Sequence, residues 1–259
     1  MNKIFLIKII VTICLLVVSQ SVVKAEIYYC WAMSGLLVRA QPIPDAKVLG
    51  KLDYGQQVEI TPENIHSGIY HKVLFLPGPT IEQEETESIY LEDYWVSISF
   101  NNMEGFVFRG YLSRWPTFKI KAKTGDIQVE NFKEYFIRAF GNDSTELTKF
   151  DINNGDDISR VVVCKPGVTI IDANSSKGFV GQFVLANVTI NEALLFVSYA
   201  FGFFNEKLPN DPKLINPSEH FYGIKYSEDD IEFNFPAPSG SIIIQKIGYV
   251  ILITYYGSC

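Results

Sequence analysis

Short β-type segments separated by turn residues fill much of residues 36–113, and this pattern constrains the fold more than any other feature of the chain. Val58 and Ile60 alternate with Glu59, which is typical of a strand with one buried face. Gly55 stands where a type I or type II turn favours glycine. The predicted strands are 36–42, 48–52, 58–60, 94–100 and 105–108, with a turn at Asn101-Asn102. The pattern therefore predicts a small β-rich domain.

The order of these segments carries a family resemblance. They read LLVRAQP from Leu36, VLGKL from Val48, VEI from Val58, YWVSISF from Tyr94 and GFVFRGYLS from Gly105. In this order they resemble the bacterial SH3 (SH3b) family over about residues 34–114. Leu37 and Gln41 depart from the family pattern, and the stretch between about Thr61 and Asp93 is longer than its counterpart in the family.

The resemblance implies a small SH3-like β-barrel, here assigned to residues 26–116, that binds rather than catalyses. The interior of so small a barrel is filled by side chains, so a ligand must lie in a groove on its surface. Exposed aromatic rings in such a groove can bind the faces of peptides or glycans. The candidate ligand-binding residues are Arg39, Tyr54, Trp95 and Tyr111. The alternative for Trp95 and Tyr111 is that they pack and form hydrogen bonds within the barrel.

Residues 62–93 are an insertion in the family pattern. The stretch from Ile69 to Leu76 predicts an extra strand. An acidic loop follows, containing Glu82, Glu84, Glu85, Glu87, Glu92 and Asp93. One interpretation is a hairpin arm that extends the strand ending at Phe100, and the other is a lid or recognition arm beside the groove. The carboxylates lack the ordered spacing of a cation site.

The first 25 residues have the pattern of a secretory signal peptide. Lys3 and Lys8 precede an apolar stretch, and Val23-Lys24-Ala25 ends it with a small-residue cleavage pattern. Only 15 residues separate Lys8 from Lys24, whereas a spanning helix needs about 20. We therefore expect cleavage after Ala25, no membrane span after processing, and a periplasmic or secreted protein; a retained anchor is the alternative.

The charge of the chain excludes some partners. The formal net charge is −7, and loss of the three signal-peptide lysines would make it −10. A protein that binds nucleic acid or anionic lipid normally carries a basic excess or a basic stripe. We therefore expect no nucleic-acid partner.

Export would leave three cysteines, at positions 30, 164 and 259. In an oxidising compartment two of them are expected to pair. Cys164 and Cys259 lie in the same half of the chain, so they are the favoured disulfide, with Cys30 left over. The alternative is three buried thiols.

Residues 117–259 predict an α+β domain, with two helices packed on a largely antiparallel sheet. Apolar residues at three- and four-residue spacing predict a helix over 129–140. A second helix begins at Thr189, with Glu192 placed to complete a capping box. The predicted strands are 160–164, 168–171, 181–186, 221–226 and 231–235, followed by a hairpin of 241–247 and 250–256. The fold class of the whole chain is thus mainly β or α+β.

The sequence contains no set of residues with the spacing of a known catalytic or metal-binding motif. A divergent cysteine hydrolase would need Cys164 with His220, but Cys164 ends a predicted strand instead of beginning a helix. The stretch from Asp151 to Asp157 has its glycine out of place for a calcium loop. The acids from Glu228 to Glu232 read as a hairpin tip, not as paired glycosidase carboxylates. We expect no catalytic residues, no metal and no cofactor.

Together these observations predict an exported, non-catalytic envelope protein. Its SH3b module would recognise a peptide or glycan of the peptidoglycan type, or a partner protein of the envelope. One alternative is an inhibitor or immunity-type protein that acts on an envelope hydrolase. The other is the divergent cysteine hydrolase.

Overall fold

The computed structural model describes residues 25–61, 70–78, 80–81, 84–85, 87–123, 126–140, 145–151, 158–164, 167–175, 178–201, 223–227, 229–234 and 240–258. Within these ranges, no helix is both long enough and apolar enough to cross a membrane. The predicted signal peptide, apart from Ala25, lies outside the described residues.

The first half of the chain is built from short antiparallel strands. They are β1 (Glu26–Cys30), β2 (Leu36–Arg39), β3 (Val48–Leu52), β4 (Gln57–Ile60), β5 (Tyr70–Leu76), β6 (Thr80–Ile81), β7 (Glu84–Glu85), β8 (Ile89–Phe100), β9 (Met103–Phe108) and β10 (Leu112–Ser113). A 3₁₀ turn, Arg109–Tyr111, joins β9 to β10. One sheet has the order β3-β2-β9-β8-β5 and a second has the order β10-β1-β4. The predicted SH3-like β fold is confirmed.

Strand β1 was not predicted from the sequence. It pairs with β4 through Tyr28 opposite Val58, and with β10 through Cys30 opposite Leu112. The strand therefore joins the end of the first half to its middle.

The turn between β8 and β9 was predicted correctly. Asn101 and Asn102 both have positive φ, at 48° and 61°. A type I′ turn needs this conformation at both central residues, and asparagine adopts it more readily than most residues. The turn fixes Trp95 opposite Phe108 in the hairpin that follows from it.

Side chains fill the interior of the barrel. This cluster comprises Tyr28, Cys30, Ala32, Leu36, Val38, Leu52, Val58, Ile60, Val96, Ile98, Val107 and Leu112. Because these residues are buried against one another, the interior offers no room for a ligand. Any binding surface on the barrel must lie outside this cluster.

The described residues of the second half form an eight-stranded antiparallel sheet, a two-stranded sheet and two helices. Its elements are β11 (Ile120–Lys123), β12 (Asp126–Val129), α1 (Phe132–Phe140), β13 (Thr145–Asp151), β14 (Ile158–Cys164), β15 (Val168–Ser175), β16 (Gly178–Ala186), α2 (Ile190–Ala200), β17 (Gly223–Tyr226), β18 (Asp230–Asn234), β19 (Ser241–Ile247) and β20 (Val250–Ser258). The sheet order is β13-β14-β15-β16-β20-β19-β18-β17, and β11 pairs with β12. Two helices with an antiparallel sheet confirm the predicted α+β class.

Helix α2 has the predicted capping box. The side chain of Thr189 accepts a hydrogen bond from the backbone of Glu192, and the Glu192 carboxylate accepts one from the backbone of Thr189. All residues from Asn191 to Tyr199 are buried. The helix is therefore central in the fold.

Both helices cover the same face of the sheet. Phe136 of α1 and Phe196 of α2 lie 5.7 and 5.6 Å from Phe183 of β16, measured between ring centroids. Phe183 alternates with the half-buried Gln182 and Val184 on the opposite face. The helices therefore bury one side of the sheet and leave the other uncovered by either helix.

The hydrophobic core runs across the predicted boundary at residue 116. Trp31, next to β1, makes edge contacts with Phe118 at 5.9 Å and with Tyr199 at 5.4 Å. The same cluster includes Trp95 of β8 and Phe183 of β16. The two halves thus share one apolar core.

Candidate binding surface

Trp95 lies outside the filled interior of the barrel. Its neighbour Val96 belongs to the interior cluster, whereas Trp95 packs on the other face of β8, 6.3 Å from Phe108 and 6.1 Å from His71. Only 5% of Trp95 is exposed. Its indole Nε1 is buried and is the one such side-chain nitrogen or oxygen without a hydrogen-bond partner in the described part of the chain.

Tyr111 also contacts Phe108. The two rings are 6.1 Å apart, and Tyr111 also contacts Phe75 of β5 at 6.3 Å. Burial raises the pKa of the Tyr111 hydroxyl above its ordinary value. Two of the predicted ligand residues, Trp95 and Tyr111, are therefore brought together around one phenylalanine.

Tyr54 faces the second half of the chain. It lies in the turn between β3 and β4, where Gly55 adopts the left-handed conformation with φ 79°. Its ring stacks on Tyr199, and its hydroxyl donates to the carbonyl of Phe118 at 3.2 Å. Burial raises the pKa of Tyr54 well above its ordinary value. One ring face and the hydroxyl are thus used within the protein.

Arg39 belongs to the hairpin of β2 and β3. Its Nη1 donates to the carbonyl of Ala46 at 2.8 Å, which ties the side chain to the loop between these strands. In the described part of the chain, no ring contact or hydrogen bond joins Arg39 or Tyr54 to Trp95 or Tyr111. Trp95, Tyr54 and Tyr111 all lie in or against the shared hydrophobic core, whereas Arg39 is held at the β2–β3 loop.

The insertion extends the barrel sheet as a hairpin arm. Strand β5 pairs with β8 through Tyr70 opposite Tyr94 and Leu74 opposite Tyr90. This register places His71 on the Trp95 side of the arm, beside Phe108 at 5.9 Å. The sequence did not identify His71 as a neighbour of Trp95. Its position follows from the register between β5 and β8, which the alternation of residues within β5 does not specify.

The two acids at the root of the arm differ in their surroundings. Glu92 contacts Lys72 at 2.7 Å and the hydroxyl of Tyr70 on the exposed face. Asp93 is buried, and both Nε and Nη2 of Arg109 lie 2.7 Å from its Oδ1. Asn191 of α2 donates to Asp93 Oδ2 at 3.2 Å. Asp93 therefore links the arm, the barrel and α2.

Glu192 forms a second polar link between the halves. Its Oε1 accepts hydrogen bonds from the Ser113 hydroxyl at 3.0 Å and from the Arg114 backbone at 3.1 Å. A cavity of about 190 Å³ lies here and is lined partly by Asp93, Arg109 and Glu192. The carboxylates of Asp93 and Glu192 that line this cavity are already paired within the protein. These two side chains therefore join the barrel to α2 and are not free to bind a ligand.

An open groove of about 600 Å³ crosses the barrel surface beside the β8–β9 turn. Its polar lining includes Glu59, Ser97, Ser99, Asn102 and Glu104. The Ser97 hydroxyl donates to Glu104 Oε1 at 2.7 Å. The groove thus presents carboxylates, hydroxyls and an amide, which suit a ligand with ammonium and amide groups.

The groove also borders the predicted cleavage site. Ala25 lines the groove, and β1 begins at the next residue, Glu26. Cleavage after Ala25 would remove this residue and would leave the α-amino group of Glu26 near the groove.

None of the four predicted ligand residues lines the groove, although Trp95 lies on the same strand as Ser97 and Ser99.

The cysteines are only partly described. Cys30 is buried without a disulfide, and burial raises the pKa of its thiol to about 11. The side chain of Cys164, His220 and Cys259 lie outside the described residues, so the disulfide and the hydrolase dyad stay predictions. Within the described ranges, no group of three or more His, Cys, Asp or Glu residues is placed to hold a metal ion.

A small antiparallel barrel with a filled interior and an open polar groove defines the class of SH3-like binding barrels. The family model of the bacterial SH3 domain matches residues 34–113, in agreement with the predicted range. A domain of this family indicates a binding module, and such domains are often associated with the cell wall. No other family model, no curated protein and no solved structure matches the chain.

Proposed function

We propose that this chain is an exported, non-catalytic binding protein of the cell envelope. Its SH3b domain recognises a peptide or glycan of the peptidoglycan type, or a protein partner in the envelope. The observation that carries this proposal is the match of residues 34–113 to the bacterial SH3 domain. The signal-peptide pattern of residues 1–25 supports export.

The open groove on the barrel is the proposed recognition site. Glu59 and Glu104 would attract an amino group of a peptide, while Ser99 and Asn102 offer hydrogen bonds to its backbone. Its open shape would accept an extended ligand, whereas Trp95 is almost completely buried. The groove is therefore the first place to test, ahead of the candidate residues Arg39, Tyr54, Trp95 and Tyr111.

Sedimentation with purified peptidoglycan tests this proposal. The double variant Glu59→Gln, Glu104→Gln removes both carboxylates of the groove and keeps the size of the side chains. We expect at least about tenfold weaker binding, because charge-assisted hydrogen bonds contribute about 1.5–3 kcal/mol each. Added salt should also weaken binding of the unchanged protein.

A matched control removes the same number of negative charges at positions outside the groove. The variant Asp45→Asn, Glu87→Gln alters two exposed carboxylates outside the groove lining and should bind as the unchanged protein does. Equal binding by both double variants would exclude the groove as the site. Capture of an envelope hydrolase, with no binding to peptidoglycan, would instead favour the inhibitor alternative.

A further inference from the structure

Arg39 lies on the same surface of the barrel as the ligand groove. Val38, its neighbour in β2, is completely buried in the barrel interior, so the side chain of Arg39 points to the opposite face of the strand. Phe106 of β9 and Ser97 of β8 are half-buried, and each stands next to a residue of the same interior cluster. The side chains of Arg39, Phe106 and Ser97 therefore share the outer surface of the barrel sheet.

The strand register places these three residues in one row. Arg39 lies opposite Phe106, and Phe106 lies opposite Ser97 on its other side. Because neighbouring strands are about 4.8 Å apart, the Cα atoms of Arg39 and Ser97 are about 10 Å apart. Ser97 lines the groove and donates to Glu104 Oε1 at 2.7 Å. Arg39 and the acidic groove are thus neighbours on one surface, with Phe106 between them.

The guanidinium of Arg39 keeps donors for a ligand. Its Nη1 donates to the carbonyl of Ala46, which holds the side chain in place. A guanidinium has five N–H donors in a fixed planar arrangement, so this bond uses only part of its capacity. Arg39 belongs to no ion pair within the described residues, whereas Lys72 and Arg109 each have an acidic partner. Arg39 is therefore able to pair with a carboxylate from outside the protein.

The β2–β3 hairpin and the groove have opposite charges. Residues 36–52 contain three cations and one acid, which are Arg39, Lys47, Lys51 and Asp45. The hairpin therefore has a net charge of +2, although the whole chain has a net charge of −7. The lining of the groove contains two carboxylates and no cation. A ligand that spans both places is complementary to them when one end is cationic and the other end is anionic.

We infer that the groove and Arg39 together bind a short peptide with a free amino group and a free carboxylate. This inference rests on the proposed function and specifies its ligand. The ammonium group of the peptide is bound by Glu59 and Glu104, and its carboxylate pairs with the guanidinium of Arg39. An extended residue spans about 3.3–3.6 Å, so about three or four residues reach from the groove to Arg39. A neutral glycan carries neither of the two charges.

An NMR titration of the purified full chain, as its host processes it, tests the inference with tetra-alanine as the probe. The unchanged protein should bind tetra-alanine about tenfold more tightly than its C-terminal amide, because the amide lacks the charge that pairs with Arg39. The variant Arg39→Gln should bind both peptides equally. The double variant Glu59→Gln, Glu104→Gln should bind both peptides more weakly and should keep the preference for the free carboxylate.

Two controls limit the effect to Arg39 and to the spacing. Lys51→Gln removes an exposed cation of the same hairpin, which lies opposite Leu37 and outside the row, so it should keep the preference for the free carboxylate. Dialanine spans only about 7 Å and should bind to Arg39→Gln as tightly as to the unchanged protein. Circular dichroism checks that the variants fold, and the comparison of the two tetrapeptides on the unchanged protein needs no variant.

Three results would overturn the inference. They are no binding of tetra-alanine, equal affinity of the unchanged protein for tetra-alanine and its amide, and the same loss of preference in Lys51→Gln as in Arg39→Gln. Sedimentation with purified peptidoglycan separates these results from failure of the proposed function. A protein that sediments with peptidoglycan but does not distinguish the tetrapeptides keeps the proposed function and overturns the inference. A protein that distinguishes the tetrapeptides but does not sediment supports the inferred site and excludes peptidoglycan as its ligand.

Discussion

Tyr54 and Tyr199 stack across the boundary predicted at residue 116, with ring centroids 5.3 Å apart and ring planes inclined by 29°. Tyr54 belongs to a turn of the barrel, and Tyr199 belongs to α2. The hydroxyl of Tyr199 donates to the carbonyl of Trp31, which adds a polar contact to the ring contact. The two halves are therefore held together by the residues of a shared core.

The variant Tyr199→Ala tests this coupling. It should lower the free energy of unfolding by about 3–5 kcal/mol, because it opens a cavity in a shared aromatic cluster. Hydrogen exchange should show that amides of β8 and amides of β20 lose protection together. The control Tyr249→Ala, on an exposed turn, should change stability by less than about 0.5 kcal/mol.

Two separate unfolding transitions would contradict the shared core. They would instead indicate that the barrel assigned to residues 26–116 folds independently of the rest of the chain. The melting of that fragment, followed by circular dichroism, gives the same answer by a second route. We expect it to be much less stable than the full chain, because Trp31 and Tyr54 would lose their contacts with Tyr199.

Local features of the fold could be predicted from the sequence. The capping box of Thr189 and Glu192 spans three residues, and the turn at Asn101 and Asn102 needs only the conformational preference of asparagine. Each is specified by neighbouring residues. The family motifs similarly located the strands of the barrel.

Long-range features could not be predicted in the same way. Glu192 also accepts a hydrogen bond from Ser113, which is 79 residues away, and nothing local marks that pairing. The alternation of residues along β8 indicated that Trp95 and Val96 lie on opposite faces of the strand. It did not indicate which of these faces the hairpin arm covers. The groove residues Glu59 and Glu104 come from separate strands, so their proximity follows only from the pairing of the sheets.

Neighbouring carboxylates on β8 should differ sharply in their effect on stability. Asp93→Asn should lower the free energy of unfolding by about 3 kcal/mol, because it leaves Arg109 and Asn191 without their buried charge partner. Glu92→Gln removes an exposed ion pair with Lys72 and should cost less than about 1 kcal/mol. Chemical denaturation measures both. Equal effects would contradict the role of Asp93 in joining the halves.

The Glu92 pair also predicts a dependence on pH. A hydrogen bond from Lys72, with another from Tyr70, lowers the pKa of Glu92 below its ordinary value. Its contribution to stability is therefore complete above the ordinary glutamate pKa of about 4.3 and is lost as the pH falls through the lowered pKa. The melting temperatures of the unchanged protein and of Glu92→Gln should converge in strong acid. A constant difference at every pH would contradict this assignment.

Trp95 should behave as a packing residue. Trp95→Ala should lower the free energy of unfolding by about 3–5 kcal/mol, because its ring is buried against Phe108 and His71. Trp95→Phe should cost clearly less, since it keeps an aromatic ring and removes an indole N–H that lacks a partner. Weaker peptidoglycan binding by Trp95→Phe, with unchanged melting, would instead identify a ligand contact.

The register of the eight-stranded sheet makes a prediction about the cysteines. Cys164 pairs with Val168, which continues across the sheet to Leu185 and Ile251. Ser258, at the other end of β20, pairs with Gly178.

Ile251 is the residue of β20 that lies in line with Cys164 across the sheet. Ser258 lies seven residues further along β20, which is about 23 Å along the strand. A disulfide needs Cα atoms within about 7 Å, and Cys259 follows Ser258 directly, at about 3.8 Å between Cα atoms. The register therefore favours the alternative of three free thiols, at positions 30, 164 and 259, over the disulfide of Cys164 and Cys259 that the sequence favoured. Alkylation in denaturant without reductant, followed by intact mass, should show three additions on a chain that begins at Glu26. A single addition would establish a disulfide and would contradict the register at this end of the sheet.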